Sequence, residues 1–463
     1  MKYKILVNRD NKFNNNYLNK INLIDIVDVN DKSIKVEENT YKAYLELKKY
    51  MESKNIFIGI TSAYRDIDYQ KQIYDESLEE FGEEHTNNYV AIPGYSEHHT
   101  GLALDIGVLV DGKYLDEDSL KTNDLFLEMH KHLHKYGFIL RYPKGKETIT
   151  GYNYEPWHIR YVGNVVASII YENNYTFEEY LKNFNCVLYI NKPTGITSFD
   201  VVKDIINIFG IKKVGHTGTL DPIASGVMLI TIGQATKIVE LLTAEDKEYI
   251  AGVSLGFQTD TYDTTGEVMN RKDIPNNINI HEVLNNYKKT YMQEVPIYSA
   301  IKVKGKKLYE YARNNKKIEL PKKEVTIKEI ELISREKDSF IFKALVTKGT
   351  YIRSLINDIG KDLGTFATMN SLERTKQGRV TIEDTNSLED INNNNYKYHL
   401  ITEVLGLPQV KVDSNLEKKI KNGVKVEDKW QVKDKVIFIN PNNKILGIFE
   451  KHGNLLRTWK NFY

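Results

Sequence analysis

Hydrophobic and polar positions fall into two rhythms along the 463 residues. Near-continuous short apolar runs predict buried strands: IFIGIT (56–61), LALDI (102–106), VLYINKP (187–193) and GVMLITI (226–232). Apolar residues at helical spacing predict helices over 42–54, from 67 to about 81, over 177–184 and over 200–209. Thr197 and Ser198 are candidate caps for the last of these. Residues 1–40 are Asn-rich and read as an irregular lead-in, and 391–399 (INNNNYKYH) as a polar linker. Beyond it, VKVEDKWQV, KVIFIN and KILGIFE alternate between turn residues, a spacing that suggests a small β-barrel. The expected class is α+β. An α+β domain over 1–184 is followed by a mixed-sheet α/β domain over 185–400 and a β-barrel over 401–463.

Length and 41% apolar content suit about two to four folded domains. No window approaches the roughly 18 consecutive apolar residues of a membrane span. The opening MKYKILVNRDNKF lacks the apolar centre of an export signal. A single cysteine, Cys186, excludes an intrachain disulfide framework. The expectation is a cytoplasmic protein with no membrane partner.

The net charge of +1 hides an asymmetry. Residues 1–184 carry 22 Lys+Arg against 29 Asp+Glu, and the remainder 42 against 34. A basic C-terminal part suits a polyanionic partner, and an acidic N-terminal part does not. Seven of the eleven histidines lie in the acidic part. The two parts therefore call for different chemistry.

In the acidic part, PGYSEHHTGLALDIG (93–107) sets His98 in a loop and Asp105 on the strand that follows. YNYEPWHIRYVG (152–163) adds Glu155 and His158. Two imidazoles and a carboxylate make a three-ligand zinc site with an open position, here His98, Asp105 and His158. Such an ion acidifies its water to a pKa of about 7, and Glu155 is placed to act as general base. His99 lies off the pattern and is expected either to face solvent or to support its neighbour. His130, His132 and His134 have no carboxylate partner in sequence and read as ordinary helix residues.

These strings resemble the VanY-type D-Ala-D-Ala carboxypeptidases over about residues 20–184. Ser96, His98, Gly101, Ala103 and Asp105 match one motif. Glu155, Trp157 and His158 match a second, and Ser62, Tyr64, Arg65 and Gln70 a third. The resemblance implies Zn²⁺ as cofactor and D-Ala-D-Ala-terminated peptides or wall precursors as substrate. It also implies that Arg65 and Ser96 hold the substrate's terminal carboxylate and backbone. Arg suits that task because its planar fork pairs with both oxygens. A domain reduced to an inert binding module is the alternative.

In the basic part, GHTGTLDPIASGVM (215–228) presents one acid, Asp221, between glycines and just before a buried strand. The string resembles the signature of the TruB family of tRNA pseudouridine synthases. So do NKPTGITSFDVV (191–202), KEYIAGVSLGFQTDTYDTTGEV (247–268), VPIYSAIKVKGKKLYEYAR (295–313), KGTYIRSLINDIGKDLG (348–364) and SLERT (371–375). By that resemblance Asp221 is the nucleophile that isomerises uridine 55 in the tRNA T loop. No cofactor is needed, because a carboxylate can attack and leave again. Arg353 would pair with and orient Asp221, and Tyr249 would stack on the base and help remove its proton. Tyr351 and Leu372 would line the pocket, and His216 would support the flipped nucleotide. The barrel would be the family's PUA-type RNA-binding module. Lys302, Lys304, Lys306 and Lys307 with Tyr298 and Tyr309 form either an RNA-facing stripe or a solvated face. Val295 and Glu373 depart from the family pattern. An RNA-chaperone role dominated by tRNA binding is the alternative reading of this part.

Overall fold

The structure, a computed structural model, describes residues 2–115, 124–314 and 318–463. The chain forms two compact units, one of Met1–Phe184, Lys203–Lys212 and Glu389–Tyr396, the other of Asn185–Val202, Lys213–Leu388 and Lys397–Tyr463. Among the described residues no helix is long and apolar enough to cross a membrane.

The first unit is built on a five-stranded antiparallel sheet. Its strands run in the order Ile58–Ser62, Ala103–Val110, His158–Tyr161, Phe138–Leu140, with Lys113–Tyr114 hydrogen-bonded to the second. The lead-in is less irregular than its composition implies: Leu23–Val27 and Ser33–Glu37 pair as a hairpin. Val36 reaches the core alongside Tyr44, Leu47 and Met51 of the helix Glu38–Glu52. Helix Ile67–Tyr89 continues past the expected end near Phe81, with a break at Gly82 (φ 80°). Glycine meets that positive φ at no steric cost.

The second unit holds a ten-stranded sheet. Its main path is Thr290–Glu294, Lys322–Arg335, Ser339–Val346, Lys247–Leu255, Ala367–Gln377, Ala224–Ile232, Cys186–Lys192 and Tyr398–His399. The apolar run 226–232 is thus an inner strand, buried on both faces, as an unbroken hydrophobic stretch requires. The supposed linker is partly ordered structure: Tyr398–His399 pairs with Leu188 and Val187, and His399 stacks on Tyr189. Helix Ile352–Asp362 buries Leu355, Ile356 and Ile359 in the same core as Tyr249, Ala251 and Leu372.

Residues beyond 405 add a five-stranded sheet in the order Gln409–Lys411, Lys435–Ile439, Ile445–His452, Leu455–Asn461, Val426–Glu427. Ile437, Ile448 and Phe462 share a cluster with Val187, Tyr189 and Val227 of the large sheet.

Candidate active sites

In the first unit the metal-type residues come together through strand register. Asp105 is the cross-strand partner of His158 on one side and of Ser62 on the other. Directly opposed residues on neighbouring strands share a face. His98 arrives from a short 3-10 turn, Glu97–Thr100, capped by Ser96 and closed by Gly101 in the left-handed region (φ 68°). Among the described residues His98, Asp105 and His158 form one group whose ligand atoms all lie within 4.8 Å of one another. Asp105 Oδ2 is 3.2 Å from His98 Nε2, and Oδ1 is 3.1 Å from His158 Nδ1. Glu155 Oε2 stands 3.7 Å from His158 Nδ1.

All four side chains are buried. Burial, with Arg65 adding to it, pushes the His98 imidazole down to about 4. His158 is raised to about 9: burial opposes the change, but the surrounding carboxylates of Asp105, Glu97 and Glu155 prevail. His98 Nδ1 lies 2.5 Å from the Ala63 carbonyl, which accepts its proton and leaves Nε2 bare toward Asp105. Asp105 Oδ1 and His158 Nε2 have no hydrogen-bond partner among the described residues. Two neutral-capable imidazoles, one of them aimed inward, and a buried carboxylate with an unsatisfied oxygen fit a zinc ion.

Arg65 and Ser96 line the same cavity, of about 500 Å³. Arg65 Nη2 donates to Asp105 Oδ2 at 2.6 Å, and its Nε to Ser62 Oγ at 3.0 Å. His99 is buried, so the solvent-facing alternative is incorrect. Its Nε2 accepts from the Gly94 amide and its Nδ1 faces the Arg65 carbonyl, tying the loop to the strand end. Of the three helix histidines, His130 takes the Pro156 carbonyl and His134 the Tyr171 ring, while His132, against the expectation of no carboxylate partner, meets Glu128 four residues earlier at 3.1 Å.

Sequence reasoning missed Glu97, Arg141 and Arg160. Glu97 is fully buried, and its Oε1 lies 2.9 Å from both guanidiniums. Burial alone would raise its pKa, but Arg141 and Arg160 hold the carboxyl well below the usual range. Glu97 and Arg160 lie within the quoted strings, next to His98 and two residues past His158, whereas Arg141 lies outside them.

In the second unit Asp221 lies at the entry to the inner strand Ala224–Ile232. Ser198 Oγ accepts from the Leu220 amide at 2.9 Å and donates to its carbonyl at 3.0 Å. The Gly195 amide donates to the Pro222 carbonyl at 2.8 Å, and Arg374 Nη2 to the Gly218 carbonyl at 3.2 Å. The loop is therefore tied on both sides of the acid. Of the two candidate caps, Thr197 takes the role, exchanging hydrogen bonds with Asp200. Gly226 has φ 105°, and a Cβ there would meet the Arg374 carbonyl oxygen at 2.2 Å, so only glycine lets the two strands approach.

Arg353, on the first turn of its helix, engages both carboxylate oxygens of Asp221. Nε is 2.9 Å from Oδ2 and Nη2 3.3 Å from Oδ1. The guanidinium is itself held by the carbonyls of Thr261 (2.9 Å) and Tyr298 (3.0 Å), with Asp263 at 3.6 Å. Asp221 keeps a third of its side chain open at the floor of a cleft. Burial and Asp263 raise its pKa above 3.8, while Arg353 and Lys192 pull it down. Tyr249, Tyr351, Leu372, Tyr298 and Tyr309 line the same cavity of about 520 Å³. Register explains the grouping: Leu372 is the partner of both Ala224 and Ala251, and Tyr249 of Arg374. His216 does not join this lining; it sits on the strand Val214–His216 opposite Ile230.

Comparison with known proteins agrees with this division. The sequence model for the TruB family pseudouridylate synthase (N terminal domain) matches residues 206–352, and that for the D-alanyl-D-alanine carboxypeptidase family VanY matches 33–164. The chain is 42% identical over 277 residues to the tRNA pseudouridine synthase B of Clostridium tetani, covering 58% of this chain and 96% of that protein. The same protein of Oceanobacillus iheyensis is 42% identical over 281 residues, covering 58% and 92%. A solved structure, VanYB in complex with D-Alanine-D-Alanine, is 30% identical, with a TM-score of 0.35, covering 40% of this chain and 99% of that one. Two enzyme-type units thus share one polypeptide. The chain belongs to the TruB family of tRNA pseudouridine synthases and carries a VanY domain ahead of the synthase region.

Proposed function

We propose that the second unit converts uridine 55 in the T loop of tRNA to pseudouridine, with Asp221 as nucleophile. The observation that carries this reading is the two-point contact of Arg353 with Asp221 at the floor of an aromatic-lined cleft. A guanidinium that meets both oxygens orients the carboxylate and favours its ionised form. The uracil must leave its stack to reach it, at a cost of a few kcal/mol. Tyr249, Tyr351 and Leu372 offer the apolar and aromatic walls that receive it. Tyr249 is the candidate to stack on the base and to assist removal of the proton from carbon five. The reaction needs no cofactor, since the nucleophile is regenerated when the base rejoins through carbon. His216 would enter only with a bound, extruded nucleotide. Tyr309, with Lys307 5.3 Å and Arg313 5.4 Å from its ring, supports the RNA-facing reading of the lysine stripe. The C-terminal sheet (401–463) would act as a PUA-like module on the tRNA backbone. Tritium release from [5-³H]uridine tRNA tests the assignment. Asp221→Asn should abolish release and leave tRNA binding intact; unchanged release ends the nucleophile role.

Residues 1–184, we infer, form a zinc-dependent D,D-carboxypeptidase acting on D-Ala-D-Ala-terminated peptides or wall precursors in the cytoplasm. His98, Asp105 and His158 would hold the ion, which when bound supplies Lewis acidity. Glu155 takes a proton from water and returns it to the leaving amine. Arg65 and Ser96 receive the substrate's terminal carboxylate and backbone. Release of D-Ala from such a peptide, lost on chelation and in Glu155→Ala, is the expected result. Release indifferent to both would remove the assignment.

A further inference from the structure

His158 turns Nδ1, not Nε2, toward the ligand group: Nδ1 is the nitrogen near Asp105 and Glu155. Its Nε2 points the other way, is buried, and has no hydrogen-bond partner among the described residues. A polar ring nitrogen left so costs free energy unless a partner waits for it. The facing group is Glu97, whose Oε2 lies 3.9 Å away, equally buried and equally unpartnered. The other oxygen of Glu97 is gripped by Arg141 and Arg160 at 2.9 Å each. Arg141 is fastened in turn by Glu178. A carboxylate held from behind by two guanidiniums can do little except accept from the front.

We propose that Glu97 is the positioning residue for His158. It accepts the Nε2 proton, fixes the tautomer with Nδ1 bare, and sets the ring angle for metal binding. This rests on the reading of His98, Asp105 and His158 as a zinc site. Partners of this kind typically change metal affinity by 10- to 100-fold when removed. Glu97 is not one of the ligand group and acts through the imidazole.

The test uses the full-length chain and zinc, with affinity measured by competition against a chelating dye. Glu97→Gln should weaken zinc binding about 10- to 100-fold while the protein stays folded by circular dichroism. Glu178→Gln loosens the far end of the same network and should leave zinc affinity at the wild-type value. A folded Glu97→Gln variant that binds zinc as tightly as wild type overturns the proposal, as does equal weakening by Glu178→Gln. A second measurement does not depend on the variants folding. In the ¹⁵N-histidine spectrum of zinc-loaded wild type, His158 should carry the metal on Nδ1 and the proton on Nε2. The reverse assignment overturns the proposal. If wild type takes up no zinc, the zinc-site reading itself fails and this one with it, a result distinct from any variant effect.

Discussion

Arg353 meets Asp221 with two nitrogens, at 2.9 and 3.3 Å, and its remaining reach is taken by the carbonyls of Thr261 and Tyr298. Lysine has one point charge and cannot reproduce that fork. Arg353→Lys should therefore lower kcat by about 10²-fold, the scale seen when one preorganised donor is lost. The affinity for tRNA, measured by filter binding, should stay at its wild-type value.

The same pair sets a pH dependence. Burial raises the Asp221 pKa from 3.8, and Arg353 opposes the rise. A nucleophile must be ionised, so single-turnover rates should fall on acidification with an apparent pKa above 3.8. Removing the opposing charge moves the pKa further up. Arg353→Met should shift the acidic limb toward neutrality, and a limb that stays in place would uncouple the two residues.

Ser198 holds the Leu220 amide and carbonyl one residue before the acid. Ser198→Ala strands both buried backbone groups, at a cost of about 1–3 kcal/mol. Urea unfolding should report that loss, and kcat should fall as the loop loosens.

Gly226→Ala drives a Cβ into the Arg374 backbone at a φ of 105°. Backbone strain and overpacking add, giving a loss of at least about 3 kcal/mol. Thermal unfolding of the second unit should drop accordingly, with the first unit unaffected.

Zinc should stabilise the first unit. An ion that binds only the folded state contributes about 2.7 kcal/mol at a hundredfold excess over its Kd. A zinc-dependent rise in unfolding temperature, cancelled by His98→Ala, is the expected calorimetric result.

Much of this was legible in the linear chain, and the misses share a cause. Arg374 lies within SLERT and Arg160 within YNYEPWHIRYVG, with Arg141 outside any quoted string, and by residue type arginine belongs at the surface. Each is fully buried: Arg374 donates to backbone carbonyls, and Arg141 and Arg160 pair with Glu97, Arg141 also with Glu178. Thr197 and Ser198 were both candidate caps; Thr197 took the role, and the Ser198 hydroxyl went to a loop 22 residues away. His99 was expected either to face solvent or to support its neighbour; it is buried, and its two ring nitrogens span the loop and the strand end.

The sequence by itself determined the two families, the positions of several central strands and helices, and the short list of acids and histidines able to do chemistry. Those follow from spacing and residue type, which are local properties of the chain. Only the tertiary structure decided that Asp105 stands opposite His158, that Arg353 closes on Asp221 from a segment 132 residues away, and that Glu97 is walled in by two arginines. Cross-strand register and buried ion pairing depend on which distant segments meet, and no local period along the chain records that.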